Sequence, residues 1–473
     1  MKIVILGAGF AGHTAALHLA KLVKNSAEII VISPKNRFTW FPSLVWVGTD
    51  TMSADDCIFE LTKVYEKLGV KYIAGKATTI WPYKQLVDIE LDNGKVESVH
   101  YDFLINGTGP YLNFEGTPGL GPATGNSFSI CTVEHSLETR SNYLKIIQAL
   151  KRGQKQTIAI GVGHPLATCE GAAFEYLLNI DFDLRKKGVR DLVSLNWLSN
   201  EPEVGDFGVD GIETKKNGTL ISGASTVRAL LDKHDIKIIL PAGVTKVEPG
   251  LIHYEKVGED PSTLKYDFAM LLPQFRGIPL KYLADDETDI TAQMTQSNGF
   301  MTVDADYTPK KYENYRGNDW PEFYVSPQFP NIFAPGIAFA PPHSLSKPKQ
   351  TNNGLVILAT TPRTGMASGI MGRTVARNIA CQITGQKFEH GERLSQMPAA
   401  CIASTGNDLW SGGAVSIVMA PVARDYERYP KYGRDLNISE VEYGLAGAWT
   451  KRLLHHVFMW KLQAKPGWEM IPE

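Results

Sequence analysis

The sequence predicts an α/β fold with two Rossmann-like dinucleotide-binding domains in tandem and a C-terminal amphipathic membrane-associating segment. Three observations carry that expectation. A glycine-rich strand–turn–helix opens the chain at Gly7-Ala-Gly9-Phe10-Ala11-Gly12. A second unit of the same kind follows at Thr157–Leu178, around Gly161-Val-Gly163. Each is succeeded by β-hairpin patterns and a Tyr-Asp-Phe strand, at Tyr101 and at Tyr266, which reads as an internal repeat.

The first unit has the complete fingerprint. Residues 2–6 read as a short buried parallel strand, a helix is expected from His13 to about Val23, and Glu28–Ser33 reads as the second strand. The glycines permit the tight turn, the approach of backbone to a pyrophosphate and close helix packing. The acidic residue expected to hold a ribose after the second strand is absent. Ser33, Pro34 and Lys35 stand there instead.

The aromatic run Phe38–Trp46 reads either as core or as a wall around a flat ring ligand. A helix is expected over 60–68, then strands at 71–74, 81–91 and 95–101, the last two joined by an Asp92-Asn-Gly94 turn. The strand from Tyr101 ends in Gly107-Thr108-Gly109, which can bring backbone against a cofactor. Ser129–His135 is expected to open a helix running to about Arg152. Cys131 and His135 would then lie one turn apart, either depressing the thiol pKa or packing by chance.

In the second unit Leu166 replaces the third glycine, and Cys169 follows early in the expected helix. A thiolate there is stabilised by backbone N–H groups and the helix dipole. The reading is a nucleotide turn given over to thiol redox chemistry, with a buried structural cysteine as the alternative. Further on, Asn331–Ala338 returns to the first domain through Gly336. Thr364 caps a helix ending at Gly385, whose N-terminus, with Arg363, could face a flavin's carbonyl edge. Cys57 and Cys381 read as structural.

From Leu445 to Lys465, Trp449, Leu453, Val457, Trp460 and Ala464 share one helical face, flanked by Lys451, Arg452, Lys461 and Lys465. Such a helix suits a bilayer interface, or packs on the protein or a twin subunit. On the membrane reading it is removable without loss of the fold.

Composition narrows the classes. The 473 residues allow two or three domains, and a balance of 48 basic against 50 acidic residues gives no nucleic-acid partner. Five cysteines do not make a disulfide framework. A first strand at Lys2 leaves no room for a signal peptide, and no apolar run spans a membrane.

Taken together, Gly7–Gly12, Phe38–Trp46, Cys131 with His135, Cys169 with Glu175, Asn331–Ala338, Pro362–Gly365 and the C-terminal segment resemble a sulfide:quinone oxidoreductase of the two-dinucleotide-binding-domain flavoproteins. The resemblance covers nearly the whole chain. It implies FAD, sulfide as donor, a membrane quinone as acceptor and a peripheral place on the cytoplasmic face of the cell membrane. A homo-oligomer is compatible with it, and no metal is expected. It implies an FAD domain at 1–112 and 300–390, a second Rossmann-like domain at 113–299 with the redox cysteine, and a membrane- and quinone-associated region at 391–473.

In that family the residue matching Cys131 lies beside the flavin and can anchor it, that matching Cys169 is a redox cysteine, and Glu175 matches a proton-handling carboxylate. Gly7, Gly9, Phe10, Ala11, Gly12, Ser33, Pro34, Lys35, Thr108, Gly109, Gly336, Arg363 and Thr364 are the expected cofactor residues. Two departures stand out: Ala359 occupies the place of the family's third cysteine, and Asp206 that of a histidine in the Glu-Pro-x-x-Gly-x motif. Cys401 could supply the missing thiol, or Cys131 and Cys169 work together. Competing readings are a type II NADH:quinone dehydrogenase, a sulfide dehydrogenase flavin subunit serving a cytochrome, and a flavin-binding protein without turnover. The broken second motif argues against the first.

Overall fold

The two units fold as one motif used twice. A computed structural model describes residues 1–168 and 170–473. The first unit is built on β1 (Lys2–Leu6), α1 (Phe10–Leu22), β2 (Glu28–Ser33), β3 (Lys71–Trp81), β4 (Leu86–Leu91), β5 (Val96–His100) and β6 (Phe103–Asn106). The second contains α2 (Val133–Lys151), β7 (Gln156–Val162), α3 (Glu170–Lys186), β8 (Val193–Leu198), β9 (Ile236–Ile239) and β10 (Phe268–Leu272). The strand β11 (Ile332–Phe333) and the helix α4 (Gly365–Ile383) return to the first unit.

In the first sheet the order is β11-β6-β1-β2-β3-β4-β5, parallel as far as β3 and antiparallel beyond it. In the second it is β9-β8-β7-β10, parallel throughout. The repeat is matched residue for residue at its centre. Ile3 pairs with Phe103, and Ile158 with Phe268. The aspartate of each Tyr-Asp-Phe element accepts a hydrogen bond from an amide at the start of the central strand: Asp102 from Lys2 N at 2.5 Å, Asp267 from Thr157 N at 2.7 Å. A backbone amide of the central strand is thereby satisfied in the same way twice.

Several element bounds differ from the sequence expectation. Helix α1 begins at Phe10, because Gly9 is already its N-cap. The third strand runs unbroken to Trp81, so the 81–91 segment divides at a turn before Leu86. Helix α2 begins at Val133, with Thr132 accepting from His135 N at 3.1 Å as the cap. Cys131 therefore precedes the helix, and the expected one-turn spacing to His135 does not exist.

The C-terminal region adds a three-stranded antiparallel sheet, β12 (Ala399–Thr405), β13 (Gly413–Met419) and β14 (Glu440–Gly444), followed by α5 (Leu445–Leu462). Two of the lysines expected to flank a free amphipathic face are buried. Lys451 pairs with Glu175 at 2.9 Å and Lys461 with Glu473 at 2.7 Å. Further anchors are His455 Nδ1 on Ser43 Oγ at 2.9 Å, Phe458 stacked on Trp40, and His13 Nε2 donating to Leu462 O at 2.7 Å. The helix is thus part of the core, not a removable appendage. Its opposite face does carry exposed Trp449, Leu453 and Trp460. No helix among the described residues is long and apolar enough to cross a membrane.

Lys461→Ala leaves the Glu473 carboxyl buried with only His18 beside it. We expect a loss of about 3 kcal/mol, the scale for stranding one member of a buried pair, read as a lower urea midpoint.

Candidate active site at the head of the second-unit helix

The cofactor cradle of the first unit is a contact between three backbones. A Cβ at Gly12 would lie 2.1 Å from Gly7 O, one at Gly7 2.4 Å from Gly107 O, and one at Gly107 3.1 Å from Gly12 Cα. Gly7 also holds φ +87°, which glycine alone adopts freely. Gly9, by contrast, faces nothing within 4 Å, leaving its backbone open at the helix N-terminus. That is the arrangement a dinucleotide pyrophosphate needs. Gly109 is open in the same way, and Thr108 is set beside it by its hydroxyl bond to Asn106 at 2.7 Å. These residues fit FAD.

Other expected cofactor residues lie elsewhere around this cradle. Ala11 is buried, with its Cβ 2.7 Å from the position a Gly336 Cβ would take, and it serves to pack α1 on α4. Phe10 covers Gly365, so its ring lies over the start of α4, whose cap Thr364 accepts from Ala367 N. Arg363 stacks on Phe300 and Phe339 and donates to Phe339 O at 3.2 Å. Ser33 is buried at the end of β2. Pro34 and Lys35 are exposed, and Lys35 pairs with Glu134 at 3.1 Å.

The second unit has the same strand order but a different turn. Leu120 fills the space in front of Gly163, within 2.4 Å of where a Cβ would stand. The described helix begins only at Glu170. Asn200 fastens the intervening loop by donating to Pro165 O, Ala167 O and Leu358 O at 3.3, 3.1 and 2.9 Å. Glu201, just beyond β8 where a ribose-binding acid would reach outward, is fully buried. It accepts from Ser199 Oγ at 2.8 Å and Phe207 N at 2.7 Å. Side chains and hydrogen bonds thus pack this turn more tightly than that of the first unit.

Cys169 lies outside the described residues. Around the helix that follows it, the sequence-predicted residues converge in part. Cys401, on β12, places its Sγ 3.5 Å from the Cβ position of Gly171, in the first turn of α3. One turn along, Glu175 is buried and fully engaged. Its Oε1 accepts from Ser404 N at 3.1 Å and Ser404 Oγ at 2.6 Å, and its Oε2 pairs with Lys451. Trp46 Nε1 donates to the same Ser404 hydroxyl at 2.9 Å, and Asn179 donates to Ser404 O at 2.8 Å. Glu175 is thus held in a salt bridge, a setting that the sequence does not disclose.

Cys131 is partly buried, its N–H donating to Ser129 Oγ at 3.1 Å, and burial pushes its thiol up to about 11. His135 does not lower it: the imidazole packs edge-on against Phe114 and burial holds it below its usual value. Of the two readings of this pair, this geometry favours packing over a thiol lowered by the imidazole. Burial also raises Cys401 to about 11, against the nearby Lys451 charge. Cys57 is buried beside Met52 and raised to about 12, in keeping with a structural thiol.

Sequence reasoning missed Ser404, the buried contacts of Lys451 and Trp46, and the gathering of the buried acids Glu170, Glu201 and Asp206. Only the Glu-Pro motif carried a signal for the last group.

Known proteins bear the same plan. The family profile described as pyridine nucleotide-disulphide oxidoreductase matches residues 1–163. The sulfide-quinone reductase of Aquifex aeolicus is 28% identical over 406 residues, 86% of this chain and 81% of that protein. Over most of its length the chain is thus similar to a sulfide-quinone reductase. The mitochondrial sulfide:quinone oxidoreductase of Dictyostelium discoideum is 25% identical over 58% of the chain and 56% of its own length. Among solved structures, the Aquifex aeolicus sulfide:quinone oxidoreductase superposes with a TM-score of 0.75 at 24% identity, covering 98% of this chain and 91% of that one. An NDH2 structure from Plasmodium falciparum with NADH superposes at 0.64 and 14%, covering 98% and 96%. With this cradle and these relatives, the chain is an FAD-dependent oxidoreductase.

The buried acids make a pH prediction. Burial pushes Glu201 up to about 8 and Asp206 up to about 6. A raised carboxyl stabilises the fold fully below its unfolded value and loses that contribution as pH rises through the folded one. The urea midpoint should therefore fall between pH 5 and pH 9, and Glu201→Gln should flatten that slope.

Proposed function

We propose that the protein oxidises sulfide to sulfane sulfur or polysulfide and passes the electrons through FAD to a membrane quinone. The observation that carries this reading is the head of α3. A dinucleotide turn there is closed by Leu120 and Asn200, and a free thiol, Cys401, stands against Gly171 two residues beyond Cys169. A site that excludes a nucleotide and gathers thiols suits sulfur exchange.

In this reading Cys169 and Cys401 form the working pair, and Cys401 takes over for the cysteine that Ala359 lacks. HS⁻ attacks a disulfide sulfur by thiol exchange and leaves a persulfide. Bound FAD supplies the two-electron acceptor. The Glu175–Lys451 pair orients β12 and so Cys401, while Lys451 places a positive charge where a Cys401 thiolate forms. Cys131 and His135 are assigned to the cofactor side of the site. We divide the chain into an FAD unit at 1–112 and 300–390, a sulfur unit at 113–299 and a quinone-associated region at 391–473.

The exposed face of α5 is the proposed membrane contact. Trp449, Leu453 and Trp460 lie on it, and Trp449 Nε1 donates to Leu409 O at 2.8 Å, next to the 84% exposed Trp410 at a hairpin tip. Aromatic side chains with one polar atom suit the headgroup region. The protein is then peripheral, on the cytoplasmic face.

Anaerobic titration tests the activity. Sulfide should bleach the flavin on mixing and NADH should not; rapid reduction by NADH would transfer the protein to the NADH dehydrogenases. Cys169→Ser and Cys401→Ser should each retain FAD and lose sulfide-driven bleaching, whereas Cys381→Ser should keep it. Full activity in Cys401→Ser would return the partner role to Cys131. Replacing Trp410, Trp449 and Trp460 together by serine should abolish sedimentation with liposomes while leaving the flavin spectrum unchanged.

A further inference from the structure

A cavity of about 570 Å³ opens between α5 and the 46–58 segment. That is within the size range of small-molecule sites. Trp46 and Met459, both buried, are its apolar part, and four charged side chains line it as well. Arg452 and Lys465 come from α5 and the turn after it, Asp55 and Asp56 from the 54–57 turn. None of the four is ion-paired among the described residues. Arg452 donates to Asn407 O at 3.3 Å, and the Lys465 ammonium lies 5.0 Å from the Trp460 ring centroid. Asn407 joins the β12–β13 loop to the acidic segment by donating to Thr51 O at 3.1 Å. Its Oδ1 is buried with no partner among the described residues. His455 is spent on Ser43 and held by burial below its usual value, so it adds no charge. His456 packs edge-on against it, with ring centroids 5.0 Å apart.

The charges of this cavity are sorted by sign. Cations come from α5 and its C-terminal turn, and anions from the 54–57 turn. A ligand of one sign would satisfy one group and leave the other, and an uncharged quinone ring would satisfy neither. A compact zwitterion answers both. A phosphate accepts from a guanidinium and an ammonium in charge-assisted hydrogen bonds. A primary ammonium brings three donors, enough for the two carboxylates and for Asn407 Oδ1. A trimethylammonium has no N–H to give them. The cavity also opens onto the apolar stripe of α5, because Trp460 belongs to both. Leu453, 61% exposed, and Trp449 extend that stripe, on which acyl chains can lie.

We propose that this cavity binds the phosphoethanolamine headgroup of a bilayer lipid. The proposal rests on the membrane contact assigned to α5 above and names the lipid class that this contact selects. Arg452 and Lys465 hold the phosphate, and Asp55, Asp56 and Asn407 hold the ammonium. The acyl chains leave past Trp460 along the exposed stripe. A headgroup held in this way pins α5 at the boundary between lipid and water, where tryptophans alone give depth but no lipid preference.

The test uses the full-length, FAD-loaded protein. Dihexanoyl phosphatidylethanolamine, kept below its micelle concentration, is titrated in solution and its binding read by calorimetry. The phosphatidylcholine and phosphatidylglycerol of the same chain length, and chain-free glycerophosphoethanolamine, are titrated beside it. The ethanolamine lipid should bind saturably and about ten-fold tighter than the other three, the scale of one lost hydrogen bond to a charged group. Replacing the acids together, by Asp55→Asn and Asp56→Asn, should erase its advantage over the phosphatidylglycerol. Both acids are exposed and neither carboxyl accepts a hydrogen bond among the described residues, so the urea midpoint should not move. Replacing the cations together, by Arg452→Gln and Lys465→Gln, should weaken both of these lipids by about ten-fold. Equal affinity for the three lipids, a preference that survives the asparagines, or chain-free compound bound as tightly as lipid would overturn the proposal. Failure of the wild type to sediment with liposomes of any composition would instead overturn the membrane reading. The titration needs no bilayer, so the two failures are distinct.

Discussion

The salt bridge between Glu175 and Lys451 is the contact on which the arrangement around α3 depends. It joins α3 to α5 across the interior, with both side chains less than a tenth exposed. Ser404 completes it by donating twice to the same carboxylate, and through Ser404 it fixes β12 and Trp46. Burying two charges is unfavourable unless they are paired and further hydrogen-bonded, and here the carboxylate accepts from Ser404 as well as from Lys451. Such a network tolerates one geometry, so it sets how close Cys401 comes to the first turn of α3.

Comparison of the two units shows how one backbone plan supports different chemistry. Both centre on a parallel strand that donates an amide near its start to the aspartate of a Tyr-Asp-Phe element. In the first, glycine at Gly7, Gly12 and Gly107 lets three backbones meet and leaves Gly9 open. In the second, Leu120 occupies the equivalent opening and Asn200 binds the turn from beneath. A pyrophosphate needs free N–H groups and space, and the second turn has given up the space.

The last helix answers two demands on opposite faces. One face supplies Lys451, His455, Phe458 and Lys461 to the interior, and the other leaves two tryptophans and a leucine in solvent. A surface helix with a single apolar stripe would bury that stripe. Here buried polar and apolar side chains together hold one face down, while Trp449, Leu453 and Trp460 stay exposed on the other.

Local spacing was enough to identify the tandem α/β plan, the intact first glycine turn and the broken second one, because a turn's steric needs are written in consecutive residues. The caps at Thr364 and the repeated Tyr-Asp-Phe strands were legible for the same reason. Contacts between residues far apart in the chain were not. Nothing in the periodicity of α5 distinguishes Lys451 and Lys461, which are buried, from Arg452 and Lys465, which line the outer side. The placing of Cys131 ahead of its helix turned on the Thr132 cap competing successfully for the first turn. The meeting of Cys401 with Gly171, and the gathering of Glu170, Glu201 and Asp206, required segments separated by tens to hundreds of residues to be folded together. Their charge states and reactivities come from shared burial, a property that only the tertiary structure creates.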